Sequence, residues 1–264
     1  MKPLQVFVEA VGLYAPGFNG WAHARAVLAA PYTYQATPLQ LPSIDSLPAA
    51  ERRRLGVTVK LAMAVGHDAT QQSSINVQQL STVFASSAGD CANCHQILEA
   101  LASSDRAISP TRFHNSVHNA AAGYWSIATG SQKPSTSLSA YDAGFGAALL
   151  EAVSQICSTT EPCLLVTFDT PYPHPLHDLR KITHPFGVAL LLTPQRRTTS
   201  LSCLTLSLTQ ESAQSMPHPE LETMRCNVPA ARALPLLSAL AAQQPQRMVL
   251  DYLQGLNLAI SLQP

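Results

Sequence analysis

The sequence predicts an α/β fold in which helices are layered on a sheet, and three features point to it. Apolar runs of strand length alternate with helix-periodic stretches through roughly the first 190 residues. The joints between them carry the Pro and Gly that connections need. The crossovers are long enough to return the chain to the same sheet.

Taken in order, Val6 to Val11 is an apolar run followed by Gly12, Pro16, Gly17 and Gly20, a strand and then a loop. Trp21 to Ala30 is Ala-rich and predicts a short helix. Pro31, Pro38, Pro42 and Pro48 make residues 31–49 an irregular connection. Ala49 to Ala69 carries Leu55, Val59, Ala62, Met63 and Gly66 at helical spacing, which predicts one long helix. Its small side (Ala62, Ala64, Gly66, Ala69) predicts close packing. Leu80 to Ala85 is a short strand, and Ser86, Ser87, Ala88 and Gly89 turn the chain into a helix over Cys94 to Leu101. Ser109 before Pro110 is an N-cap with proline at the first helical position. That helix is expected to run through Asn119 into the small residues Ala120 to Gly123. Pro134 to Ala140 is strand-like. Ala143 to Cys157 is a helix marked by Phe145, Leu149, Ala152 and Val153. Cys163 to Phe168 is a buried-type strand, ended by Asp169 and a Pro/His-rich loop to Pro185. Val188 to Leu192 and Leu201 to Leu208 are strands, Ala230 to Ala242 a helix, and Leu256 to Leu262 a closing strand.

Of the 264 residues, 46% are hydrophobic and only 12% are charged, with 16 basic and 16 acidic side chains. Charge is about half the usual share of ~25%. So neutral a surface predicts that part of it is covered by a partner protein. It argues against nucleic acid, which needs a basic footprint. No apolar stretch approaches the ~18 residues of a membrane span. Met1 to Gly12 has no signal-peptide pattern, because Glu9 interrupts its apolar run. A cytoplasmic location is expected, with the six cysteines as reduced thiols.

Cys91-Ala92-Asn93-Cys94-His95 matches the C-x-x-C-H signature of c-type haem attachment. The competing reading is two small buried thiols and a helix-surface histidine. It is preferred because haem attachment takes place outside the cytoplasm and the motif sits at a strand-to-helix junction. No second cysteine pair at ligand spacing completes a zinc site, and His174, His177 and His184 lie in a Pro-rich loop without strand or helix spacing. No metal and no cofactor are expected.

The most informative stretch is Ile108 to Ile127. Ser109, Pro110, Phe113, Asn115, Ser116, Asn119, Ala122, Gly123, Ser126 and Ile127 stand at the spacing S-P-x-x-F…N-S-x-x-N-x-x-A-G-x-x-S-I. This resembles the segment preceding the nucleophile in β-ketoacyl synthases. The resemblance extends over about residues 1–195 and implies a thiolase-like layered α/β/α fold. Its N-terminal half (1–195) would be well represented. Residues 196–264 would be an abbreviated C-terminal half packed on the same core.

In that family, the segment aligned with Ser139 to Gly144 reads A-C-x-x-G and places a cysteine on a tight turn at a helix N-terminus, which stabilises the thiolate. Here the aligned residue is Tyr141, or Asp142 with a shift of one, and no cysteine lies between Cys94 and Cys157. The family's two histidine motifs are not found after residue 195, where His218 stands alone in Met216-Pro217-His218-Pro219. The catalytic set is therefore expected to be empty. The resemblance implies a chain-length-factor-type subunit, forming a heterodimer with an active β-ketoacyl synthase and meeting an acyl carrier protein. The biosynthetic class implied is that of aryl polyene and xanthomonadin-type polyketides, related to fatty-acid synthesis. Phe113, Ser116, His118, Asn119, Tyr141 and Phe145 are the candidate acyl-tunnel or interface residues. Phe145 also fits a plain core position. A second reading is an acyl-thioester-handling enzyme using His114, Asn115, His118 and Asp142, whose alternative roles are capping and loop hydrogen bonds.

Overall fold

The computed structural model describes residues 4–264. In chain order the elements are β1 (Leu4–Ala15), β2 (Phe18–Asn19), α1 (Trp21–Ala29), α2 (Ala49–Arg52), α3 (Val57–Gln71), β3 (Ser81–Ala85), α4 (Cys91–Ala102), α5 (Pro110–His114), α6 (Ala120–Thr129), β4 (Ser135–Leu138), α7 (Gly144–Thr159), β5 (Cys163–Asp169), α8 (Leu176–Leu179), β6 (Phe186–Thr193), β7 (Ser202–Thr209), α9 (Pro219–Asn227), α10 (Leu234–Ala242), β8 (Gln246–Leu253) and β9 (Leu256–Gln263). One mixed sheet of nine strands runs β4-β3-β5-β6-β1-β7-β9-β8, with β2 paired to β1. β3 pairs in parallel with both β4 and β5, and the remaining pairs are antiparallel.

Both faces of the central strands are covered, which is why β5 and β6 are buried along their whole length and mostly apolar. One face carries α1, α7 and α10, with Phe145, Leu149, Val153, Leu236 and Leu240 among its buried side chains. The other carries α3 and α6, with Leu61, Met63, Val65 and Trp125. Along β1, Val6 and Val8 face the α7 side and so do Val11, Leu13 and Ala15. A one-residue bulge between Val8 and Ala10 causes this change of parity. Glu9 stands in the bulge, and its buried carboxylate accepts from Thr199 Oγ1 and from Ser200 Oγ at 3.2 Å, with Arg197 3.4 Å away.

The small side of α3 packs as its composition predicts. A Cβ on Gly66 would stand 2.6 Å from the Trp125 ring of α6. Beyond β1, β7, β9 and β8 extend the same sheet and bury one face only. Leu204 and Leu206 point into the core while Thr205 and Ser207 alternate outward.

Three differences from the sequence-based expectations have local causes. The helix expected over 49–69 is two, α2 and α3, broken where Gly56 takes an extended conformation. The helix expected from Ser109 through Gly123 is also two, α5 and α6. Asn115 turns inward between them, its amide donating to Arg54 O at 2.9 Å and its carbonyl accepting from Tyr124 Oη at 2.9 Å. Finally, α9 and β8 were not expected. β8 is held by Gln214 N donating to Val249 O at 2.8 Å on one side and by β9 on the other.

Candidate functional site

β3, β4 and β5 run in the same direction and end together, at Ala85, Leu138 and Asp169. The carboxyl ends of parallel strands are where open α/β sheets present their sites. Here the chain leaves β4 through Ser139 and Ala140 and reaches Tyr141, whose φ of 51° is left-handed. A short 3-10 turn over Tyr141–Ala143 then leads into α7. A sharp strand-to-helix turn with one strained residue is the geometry that lifts a side chain above a helix N-terminus. Tyr141 is the residue at that apex, and Asp142 follows it.

The turn rests on a buried polar post. Ser139 Oγ donates to Ser87 O at 2.8 Å. Ser87 N and Oγ both donate to Asp169 Oδ1, at 2.8 and 2.6 Å. Because the Ser87 hydroxyl proton is engaged there, the Tyr172 hydroxyl at 2.8 Å is the donor to Ser87 Oγ. Ala230 N donates to Asp169 Oδ2 at 2.9 Å, which ties the 3-10 turn Pro229–Ala233 to the same post. Burial pushes the Asp169 carboxyl above the ordinary carboxylate range, and its hydrogen bonds and nearby Arg180 offset this in part.

Arg180 packs against the apex. Its guanidinium lies 3.4 Å from the Tyr141 ring centroid, a cation–π stack, and donates to Asp142 Oδ1 at 2.7 Å. Arg232 stands 3.9 Å from Asp142 Oδ2. The Arg180 side chain is only 14% exposed, whereas Tyr141 is 63% exposed. The neighbouring thiol, Cys91, opens α4 behind the Asp90 N-cap. Burial foremost, then the charges of Cys94, Asp90 and Asp169, push it up to about 11, and Arg180 offsets only part of this. At neutral pH such a thiol is ionised to about one part in ten thousand.

The other candidate residues fall in different places. Phe113, His114 and Asn119 line a shallow apolar groove of about 480 Å³ together with Val117, Gly123 and Ile127. Phe113, Val117 and Ile127 are each more than half exposed there. Ser116 Oγ donates to Phe113 O and closes the end of α5. His118 Nε2 lies 3.3 Å from both Ser86 Oγ and Ser86 O, on the loop after β3. Phe145 is buried in the core under the sheet. Asn115 is fully engaged in its two internal bonds, and Asp142 is held by the arginines. The set His114, Asn115, His118 and Asp142 therefore makes separate contacts and does not converge on one centre. Sequence reasoning missed Arg180, Arg232, Ser87, Asp169 and Tyr172. Only Asp169, an acid ending a mostly apolar strand, left a local signal.

Cys91 and Cys94 occupy the first turn of α4, with Cys94 Sγ facing Ser116 O and His95 Nε2 3.2 Å from Glu99. His174 lies beside Asp178 at 3.1 Å. Among the described residues, no group of three His, Cys, Asp or Glu side chains gathers to hold a metal ion. No helix among them is long and apolar enough to cross a membrane.

Solved structures similar to the chain include one from the complex of the ketosynthase ApeO with its chain length factor ApeC of Xenorhabdus doucetiae. It is 25% identical at a TM-score of 0.73, covering 97% of this chain and 99% of that one. The ishigamide ketosynthase/chain length factor matches at 12% identity and TM-score 0.75, over 98% and 99% of the two chains. A chain of AntDE:AntF, a type II polyketide acyl carrier protein in complex with its ketosynthase, matches at 14% identity and TM-score 0.76, over 100% and 99%. No curated protein matches the chain by sequence. The fold is the thiolase-like one of the ketosynthases, as the Ile108 to Ile127 segment implied. The family model for the β-ketoacyl synthase N-terminal domain matches residues 21–250, so the chain belongs to the β-ketoacyl synthase family.

Proposed function

We propose that this chain is a non-condensing, chain-length-factor-type subunit that forms a heterodimer with an active β-ketoacyl synthase and works with an acyl carrier protein. One observation carries the reading. The left-handed apex at the start of α7, where a condensing enzyme presents its thiolate, bears Tyr141 stacked on Arg180. A phenol is a weaker nucleophile than a thiolate toward a thioester, and the adjacent Asp142 is held by the arginines. Cys91 does not replace the missing thiol, because burial keeps it protonated.

The exposed apolar groove along α5 and α6 supports a partner surface, and so does the low charge of the chain. In this reading Phe113, Ser116, His118 and Asn119 lie at or behind that surface, while Tyr141 sits at the vacated loading turn. Residues 196–264 are the abbreviated counterpart of the family's second half. The product class is an aryl-polyene-type or other polyketide or fatty-acid-like acyl chain, made in the cytoplasm.

The test is co-expression with a ketosynthase encoded beside this chain, followed by trapping with a labelled acyl thioester. Label on the ketosynthase alone is the expected outcome, and label on this polypeptide would overturn the proposal. Within the complex, Tyr141→Ala is expected to alter product length or complex stability while condensation continues. A complete loss of condensation with the complex intact would contradict it.

A further inference from the structure

A cavity of about 600 Å³ lies between the starts of α3, α4 and α5. Arg53 and Arg54, in the turn leading into α3, line it together with Arg112 on α5. In a chain with 12% charged residues and no net charge, this is a marked local excess of positive charge. The ion pairs nearby cancel it only in part. Arg52 pairs with Asp45 at 2.7 Å and Arg54 with Glu51 at 2.9 Å. The Arg53 and Arg112 guanidinium groups have no ion-pair or hydrogen-bond partner among the described residues.

The one carboxylate in the lining, Asp90, is turned toward the backbone. One oxygen accepts Asn93 N–H at 3.0 Å and caps α4. The other lies against Gly56 at the start of α3, so closely that a Cβ there would overlap it. Asp90 therefore caps α4 and makes no ion pair with Arg53, Arg54 or Arg112 among the described residues. The rest of the lining includes apolar Leu55, Val57 and Pro171. Thr170 and Pro171 follow directly on Asp169, so the cavity neighbours the Tyr141 turn at the strand ends without sharing its residues.

A volume of this size suits a small organic molecule better than a bare inorganic anion. Guanidinium forks match phosphate oxygens in pairs. We infer that this cavity binds a phosphorylated organic ligand, its phosphate held by Arg53, Arg54 and Arg112 and its uncharged part laid against Leu55 and Val57. The inference stands independently of the proposed role in acyl-chain synthesis.

The experiment is titration calorimetry on the full chain with coenzyme A, ADP, inorganic phosphate and unphosphorylated pantetheine. Coenzyme A is expected to bind in the micromolar range and to weaken with added salt. Pantetheine is expected not to bind, and inorganic phosphate only weakly. ADP binding equal to that of coenzyme A would assign recognition to the nucleotide phosphates, and weaker ADP binding would assign a share to the pantetheine stem; both fit the inference. The double variant R53Q/R112Q is expected to lose at least about tenfold in affinity, with melting unchanged because neither side chain has an internal partner. Absence of coenzyme A binding up to about 10 mM, an equal affinity for pantetheine, or full affinity in a folded double variant would overturn the inference. The pantetheine and salt comparisons use the unaltered protein and decide the matter even if the variant unfolds.

Discussion

At the scale of the residue, Tyr141 and Asp169 divide the work of the turn. Tyr141 holds a left-handed conformation that costs a non-glycine residue about 1–3 kcal/mol. The Arg180 stack against its ring and the Ser87–Asp169 post behind the turn keep it there. Asp169 has a consequence that depends on pH. Burial raises its native pKa above the ordinary 3.8, so the folded chain keeps this proton to a higher pH than the unfolded chain. Stability from this group therefore falls as pH climbs from 3.8 to the raised native value, and is level above it. In denaturant melts, the wild type is expected to gain stability across that window on acidification relative to Asp169→Asn, which lacks the slope. Parallel pH profiles for the two proteins would refute this. The sequence left Tyr141 and Asp142 as alternatives because one backbone dihedral decides which of them stands at the apex. Arg180 was invisible because it reaches Asp142 across 38 positions of sequence, a separation with no periodicity to read.

At the scale of the element, close packing of α3 on α6 is the feature most exposed to mutation. Gly66→Val would drive a branched side chain into the Trp125 ring. The expected cost is about 1–3 kcal/mol, read as a fall in melting temperature of about 2–4 °C per kcal/mol. An unchanged melting temperature would show that α6 yields without penalty. The small residues of α3 announced this contact, but the break before α3 did not show. It depends on Asn115 reaching Arg54 O from a distant segment. At the other end of the molecule, α9 is clamped to β8 by Arg225, which pairs with Glu222 and with Asp251. The Arg225 hydrogen bonds hold the Glu222 carboxyl down at about 2, against an ordinary 4.5. A depressed native pKa gives stability that is present above 4.5 and lost as pH falls toward 2. Glu222→Gln is therefore expected to lower stability at neutral pH and to flatten the acid limb between those values, as followed by circular dichroism. Neither α9 nor β8 was expected, because the polar residues that pin them meet only in the folded chain.

At the scale of the whole molecule, one nine-stranded sheet carries strands from the first described residues to the last. Its β4 edge and the α5–α6 groove lie on the side away from β8. Phe113 and Val117 are exposed and add little to the monomer's own core. Replacing both with Asp is expected to leave the melting temperature of the isolated chain nearly unchanged. It is also expected to weaken a ketosynthase partner by about 2 kcal/mol or more, measured by co-purification and calorimetry. Retained affinity would place the partner surface elsewhere. By itself, the sequence determined the layered α/β class, the order of most elements, the family segment from Ile108 to Ile127 and the lack of a cysteine between Cys94 and Cys157. These are properties of local periodicity and spacing, which a linear chain displays directly. Only the tertiary structure decided that Tyr141 stands at the apex, that Arg180 stacks on it, that Phe145 is core, and that three arginines line a cavity. Each depends on side chains from separate strands and helices meeting at the sheet's end, and nothing in a local pattern encodes such meetings.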